Sequence, residues 1–188
     1  MKIGVGKNPE YKDEGLKLVE YGSTGVTKNN LLIIPCSDNK FPCLTPRKAF
    51  DCYVGEFYQM LKNYFFVSGR PDNLSIYIVS GKYGLIPEDL PILPYNSRLT
   101  KERAVSMNAE TIKRLKLIQP VPDEIFINLG KEYMPAINGI EKVFPNSNML
   151  FPKLGDIGFR KHYMKVWLGS LPYTSELLNI KMFTPYKV

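Results

Sequence analysis

Histidine is nearly absent from this chain: His162 is the single one in 188 residues. A Ser-His-Asp triad and a histidine-rich metal centre are both disfavoured by that scarcity. His162 itself sits in Arg160-Lys161-His162, which reads as a solvated helix face. Cysteine is scarce and odd in number. Cys36, Cys43 and Cys52 are separated by six and eight residues, spacings that match no zinc pattern and no disulfide framework. They read as packed or loop thiols. Long apolar runs are missing too, and none approaches the ~20 residues of a membrane helix. Residues 1–6 lack the apolar core of a signal peptide, so the protein is read as cytoplasmic with no membrane partner. The phosphate loop Gly-x4-Gly-Lys-Ser/Thr does not occur, nor does Gly-x-Gly-x-x-Gly after a strand. No cofactor and no metal is expected.

Positive charge is what the chain has in excess. Lys and Arg number 25 against 18 Asp and Glu, a formal charge of +7. That balance favours anionic partners, nucleic acid first. With 44% hydrophobic residues the length suits one globular domain. We divide it into an N-terminal extension, 1–29, read as a hairpin or arm, and a single α/β domain with a C-terminal tail, 30–188.

Three aliphatic segments read as buried strands: residues 31–36, 74–80 and 124–129. A fourth is expected within 143–151. Phe57, Met60, Leu61, Tyr64 and Phe65 recur at helical spacing and predict a helix over 55–66. Thr100 can cap a helix running to 118, whose apolar face is expected to carry Val105, Ala109, Ile112 and Leu115. A last helix is predicted over 158–169. Residues 37–52 and 81–100 read as long loops. Strands alternating with helices predict a three-layer α/β fold, a mostly parallel sheet with helices on both faces.

Each of the three aliphatic strands ends in small or polar residues beside a Lys or Tyr. The exits are Cys36-Ser37-x-x-Lys40, Ser80-Gly81-Lys82-Tyr83-Gly84 and Gly130-Lys131-Glu132-Tyr133. Open α/β sheets bind ligands at the carboxyl ends of their strands. Hydroxyls and backbone N–H groups beside cations suit a phosphate or a polar ring. The candidate binding residues are Cys36, Ser37, Lys40, Ser80, Lys82, Tyr83, Gly84, Tyr95, Gly130, Lys131 and Tyr133. Cys36 lacks a local base and reads as a contact rather than a nucleophile. Glu132 and Asp51 are the candidate acids, each equally able to flank a helix. Lys113, Arg114 and Lys116 suit either the end of a helix dipole or a phosphate-binding patch.

In order along the chain, Cys36-Ser37-x-x-Lys40, Asp51-x-Tyr53-x-Gly55-x-Phe57, and Val79-Ser80-Gly81-Lys82-Tyr83-Gly84-Leu85-Ile86 with Pro94-Tyr95 resemble relatives of the bacterial peroxide-stress protein YaaA. Asn128-Leu129-Gly130-Lys131-Glu132-Tyr133 is similar to that family's Asn-Leu-Ala-Ser-x-Glu-Tyr stretch. Leu154-Gly155-x-Ile157-Gly158 with Trp167-Leu168 is similar to the closing motif of its Cys-Ser-x-x-Lys branch. A more distant similarity is to the core of archaeosine synthase, which modifies a deazaguanine in tRNA. The resemblance spans residues 31–168 and implies an α/β, nucleic-acid-associated protein with a basic cleft.

Three functions are therefore expected to compete. The first is an enzyme acting on a nucleobase or its N-glycosidic bond in DNA or RNA. Lys40 and Lys131 would hold phosphate, Tyr83 or Tyr95 would stack on the base, and Glu132 or Asp51 would be the acid or base. The second is a non-catalytic nucleic-acid-binding protein. The third is a small-molecule enzyme whose basic charge is incidental.

Overall fold

The computed structural model describes residues 28–152 and 156–171. The expected N-terminal arm, the Leu154-Gly155 pair and the tail beyond residue 171 lie outside the described residues. The elements in chain order are β1 (Asn30–Pro35), β2 (Arg47–Lys48), α1 (Ala49–Cys52), α2 (Glu56–Ser68), β3 (Leu74–Ser80), β4 (Gly84–Pro87), β5 (Pro91–Ile92), α3 (Lys101–Ser106), α4 (Asn108–Leu115), β6 (Glu124–Ile127), a 3-10 turn (Met134–Ile137), α5 (Ile140–Val143), β7 (Asn148–Leu150) and α6 (Ile157–Ser170).

Five strands form one sheet in the order β4-β3-β1-β6-β7, parallel except for β4. Strand β1 is the centre, in register with β3 from Asn30↔Leu74 to Pro35↔Val79 and with β6 from Asn30↔Glu124 to Ile33↔Ile127. It is wholly buried, as a parallel strand covered on both faces must be. Alternate residues serve two cores. Leu32, Ile34, Ile76, Ile78 and Phe126 pack against α1, α2 and α6, with Trp167 stacked on Phe126 at 4.9 Å. Leu31, Ile33, Val79, Ile125 and Ile127 pack on the other face against α3, α4, α5 and the 3-10 turn. The protein is thus a three-layer α/β fold. Among the described residues, no helix is long and apolar enough to cross a membrane.

The helix expected over 100–118 is two helices meeting at Met107. Thr100 does cap the first, accepting from the Arg103 N–H at 3.2 Å. The buried face differs from the expected one. Ala104, Met107, Thr111, Leu115 and Ile118 point inward, while Val105 and Ala109 are exposed. Spacings of three and four residues from Ala104 define that stripe, and Thr111 obscures it by placing a polar side chain in the middle. The loops expected over 37–52 and 81–100 hold β2, α1, β4 and β5. Their backbones find hydrogen bonds in short elements because compact domains seldom carry long structureless loops.

Thr111 Oγ1 is buried with no hydrogen-bond partner among the described residues. An unpaired buried hydroxyl costs about 1–3 kcal/mol. Thr111→Val keeps the shape and removes the hydroxyl, so it should raise the urea-unfolding midpoint. A lowered midpoint would show that the hydroxyl has a partner in solution.

Candidate functional site at the carboxyl edge of the sheet

Because β1, β3 and β6 are parallel neighbours, their carboxyl ends share one edge. Backbone bonds continue past the strands: Cys36 N–H donates to Val79 O at 3.0 Å, and Asn128 N–H to Ile33 O at 2.8 Å. The chain leaving β1 turns to the face of α2, whereas the chain leaving β6 turns to the opposite face. This divergence is a topological switch point, the place where doubly wound sheets open a ligand crevice. The three strand exits lie side by side along that edge. Residues 37–54 leave β1 and return. Phe41 N–H donates to Cys52 O at 2.7 Å and Val54 N–H to Asn39 O at 3.0 Å, closing the excursion at its base.

The return point is tight. A Cβ at Gly55 would fall 2.3 Å from Ser37 Oγ and 2.9 Å from Ser37 Cβ. Only glycine lets the start of α2 press on the β1 exit. Tyr58, one turn into α2, donates its buried hydroxyl to Pro35 O at 2.9 Å. Together these contacts fix α2 against the end of β1.

Three hydroxyls cluster beside the Cys36 exit. Tyr53 and Tyr95 hydroxyls are 2.8 Å apart, Ser80 Oγ lies 2.7 Å from Tyr95 and accepts from Tyr53 at 3.3 Å, and Tyr83 N–H donates to Ser80 Oγ at 3.1 Å. Burial holds the Tyr53 and Tyr95 hydroxyls well above the ordinary tyrosine range; for Tyr95 the nearby Cys36 thiol adds to it. The cluster is neutral through physiological pH and offers hydroxyls, not phenolates. Burial also raises Tyr133, with Cys36 the next cause.

Cations line the cluster. Lys40 Nζ stands 4.2 Å from the centroid of the Tyr95 ring, and Lys82 Nζ stands 5.7 Å from it and 5.0 Å from Tyr83. The Tyr83 and Tyr95 rings meet edge to face at 5.3 Å. Across the β1 exit, Arg160 on α6 donates to Asn128 from Nε at 2.9 Å and from Nη2 at 2.7 Å. Burial lowers the Arg160 pKa, and Tyr133 opposes that shift. The surroundings of Arg160 correct its reading as part of a solvated helix face: it is half-buried over the β6 exit.

Other expected residues are elsewhere. Asp51 is exposed on α1 and lines a groove with Leu74, Ser75 and Ile76 from the start of β3, so it does not face the exits. Lys131 and Glu132 are exposed on the turn after Gly130. Gly84 has a positive φ of 77° and closes the β3–β4 hairpin. Arg114 is committed to the fold, donating from Nη1 to Tyr83 O at 3.1 Å and Leu85 O at 2.9 Å and from Nε to Glu110 at 3.1 Å. Lys113 on α4 and Lys116 just past its end are exposed, and the chain there leads to the opposite edge, where Ile118 and Pro120 share a groove with Asn29 and Asn30. Among the described residues no group of three His, Cys, Asp or Glu side chains could hold a metal ion. Sequence reasoning missed Tyr53, Asn128 and Arg160 as site residues. Tyr53 and Asn128 lay inside motifs already singled out, and Arg160 carried no signal beyond its charge.

No family model matches the chain, and no curated protein matches it. Among solved structures it is similar to the crystal structure of AF0587, a protein of unknown function, at 12% identity and a TM-score of 0.46 over 79% of this chain. The chain spans 47% of that structure's length.

Two measurements check this geometry. Gly55→Ala should lower the unfolding midpoint, at the ~1–3 kcal/mol typical of overpacking, and adding Ser37→Gly should recover part of the loss. Independent, additive losses would show that the two residues do not press on each other. Above the ordinary tyrosine pKa of about 10, the unfolded chain releases phenolic protons that the folded chain keeps. Stability should therefore fall as pH rises past that value and be insensitive to these groups below it. The fall should be shallower in Tyr53→Phe/Tyr95→Phe, and an equal fall would contradict the buried cluster.

Proposed function

We propose that the carboxyl edge binds a nucleotide unit of DNA or RNA, phosphate on Lys40 and Lys82 and base against Tyr83 and Tyr95. The observation that carries this reading is the convergence of two lysines on two tyrosine rings beside neutral hydroxyl donors. An exposed cation–π contact contributes about 0.5–1 kcal/mol, less than the ~1.5–3 kcal/mol of a hydrogen bond to a charged group. An incoming phosphate therefore draws the ammoniums off the rings, and a base takes their place at about 1–3 kcal/mol of stacking. Tyr95 is the half-buried member of the hydroxyl cluster and offers its hydroxyl to the base edge, held from beneath by the fully buried Tyr53 and Ser80. The resemblance to the YaaA family and the charge of +7 support the same partner. A cytoplasmic role fits this reading, because Cys36, Cys43 and Cys52 form no disulfide among the described residues and free thiols suit a reducing compartment.

Base chemistry is the catalytic form of this reading. It rests on Glu132, since Asp51 faces a different groove. Base release from modified oligonucleotides should be lost in Glu132→Gln; release that survives removes Glu132 as the acid.

Binding is tested by fluorescence anisotropy with a labelled single-stranded oligonucleotide. Affinity should fall with salt, and Lys40→Ala or Lys82→Ala should each flatten the log–log slope by about 0.7. Lys113→Ala and Lys116→Ala should change it less. Salt-independent binding, or a larger effect at Lys113 and Lys116, would overturn the proposal.

A further inference from the structure

The guanidinium of Arg160 is held on two edges and one face. Nε and Nη2 are spent on the Asn128 side chain and carbonyl, and the Phe57 ring lies 5.0 Å from Cζ. Asn128 cannot yield, because it is fully buried, its N–H is in the ladder with Ile33, and its Nδ2 points at Met164 Sδ at 3.7 Å. The third nitrogen, Nη1, has no hydrogen bond to any described residue, and no described carboxylate lies within salt-bridge distance of Arg160. Beneath Nη1 is Gly130. A Cβ there would sit 3.8 Å from Nη1 and 3.8 Å from Tyr133 Cδ2, so the missing side chain leaves the nitrogen open.

Nη1 is not a buried atom, so solvent reaches it, and with no described carboxylate beside it an arriving anion can take the place of water there. The rigid grip on Nε and Nη2 means that little side-chain freedom is lost when Nη1 binds. The gap lies between the exits of β1 and β6, on the far side of β1 from Lys40 and Tyr95. Two strand spacings, roughly 10 Å, separate the halves of the edge.

We propose that Arg160 Nη1 receives a second phosphate of a single-stranded nucleic acid, so that the edge takes a dinucleotide step rather than one nucleotide. This rests on the nucleotide reading above. Gly130 is the residue that keeps the second phosphate position vacant.

Isothermal titration of thymidine 5′-monophosphate and of 5′-phosphorylated dithymidine tests it. The dinucleotide should bind wild-type protein about tenfold more tightly, the equivalent of one charge-assisted hydrogen bond. Arg160→Met should erase that difference. Gly130→Leu should erase it as well while keeping the Arg160–Asn128 bonds, which guards against simple misfolding of the first variant. Lys40→Ala should weaken both ligands alike. Equal affinity for the two ligands in wild-type protein, or a preference that survives Gly130→Leu, overturns the second phosphate position and leaves the nucleotide reading standing. Failure of wild-type protein to bind either ligand overturns both.

Discussion

Strand β1 is hydrogen-bonded along both edges and covered on both faces, so its carboxyl end is where its chain first meets solvent. Parallel pairing with β3 and β6 brings two more ends to the same level. The side chains past these ends are therefore neighbours by construction, although Ser37, Ser80 and Gly130 are far apart in sequence. Helix α2 is fastened to this point by the Gly55–Ser37 contact and the Tyr58 hydroxyl, and α6 by Arg160 on Asn128. Both attachments lie on the same face of the sheet, which leaves the other face to pack α3 and α4 without disturbing the edge.

Charge and neutrality divide the edge. The hydroxyl cluster is buried enough to stay protonated, so it adds direction but no charge. Charge comes from Lys40 and Lys82 on one side of β1 and Arg160 on the other. The lysines ride on aromatic faces and can move; the arginine is fixed by two hydrogen bonds to one residue. A mobile cation adapts to where a phosphate lies, whereas a fixed one dictates it.

Much of the fold was legible in the sequence because buried parallel strands are continuous aliphatic runs, and 31–36, 74–80 and 124–129 carry no competing pattern. Convergence of their ends followed from parallel pairing alone. The α3–α4 face was misjudged because an inward threonine broke the apolar stripe. Asp51 drew notice as an acid expected beside the strand-end donors, but α1 places it on a groove with the start of β3 instead. Arg160 was invisible for the opposite reason: on α6, its partner Asn128 is 32 residues earlier, and nothing local marks the pairing. Arg114 resembled a surface cation of a helix end, yet it braces the β4 hairpin through backbone carbonyls that no sequence pattern records.

The excursion over residues 37–54 has its ends stitched together beside the hydroxyl cluster, while Leu44 at its tip is 99% exposed. Lengthening such a closed loop costs little, about 0.6 kcal/mol for each doubling. The tip is thus insulated from the hydroxyl cluster at its base. A reporter group can be grafted there without displacing Lys40 or Tyr53.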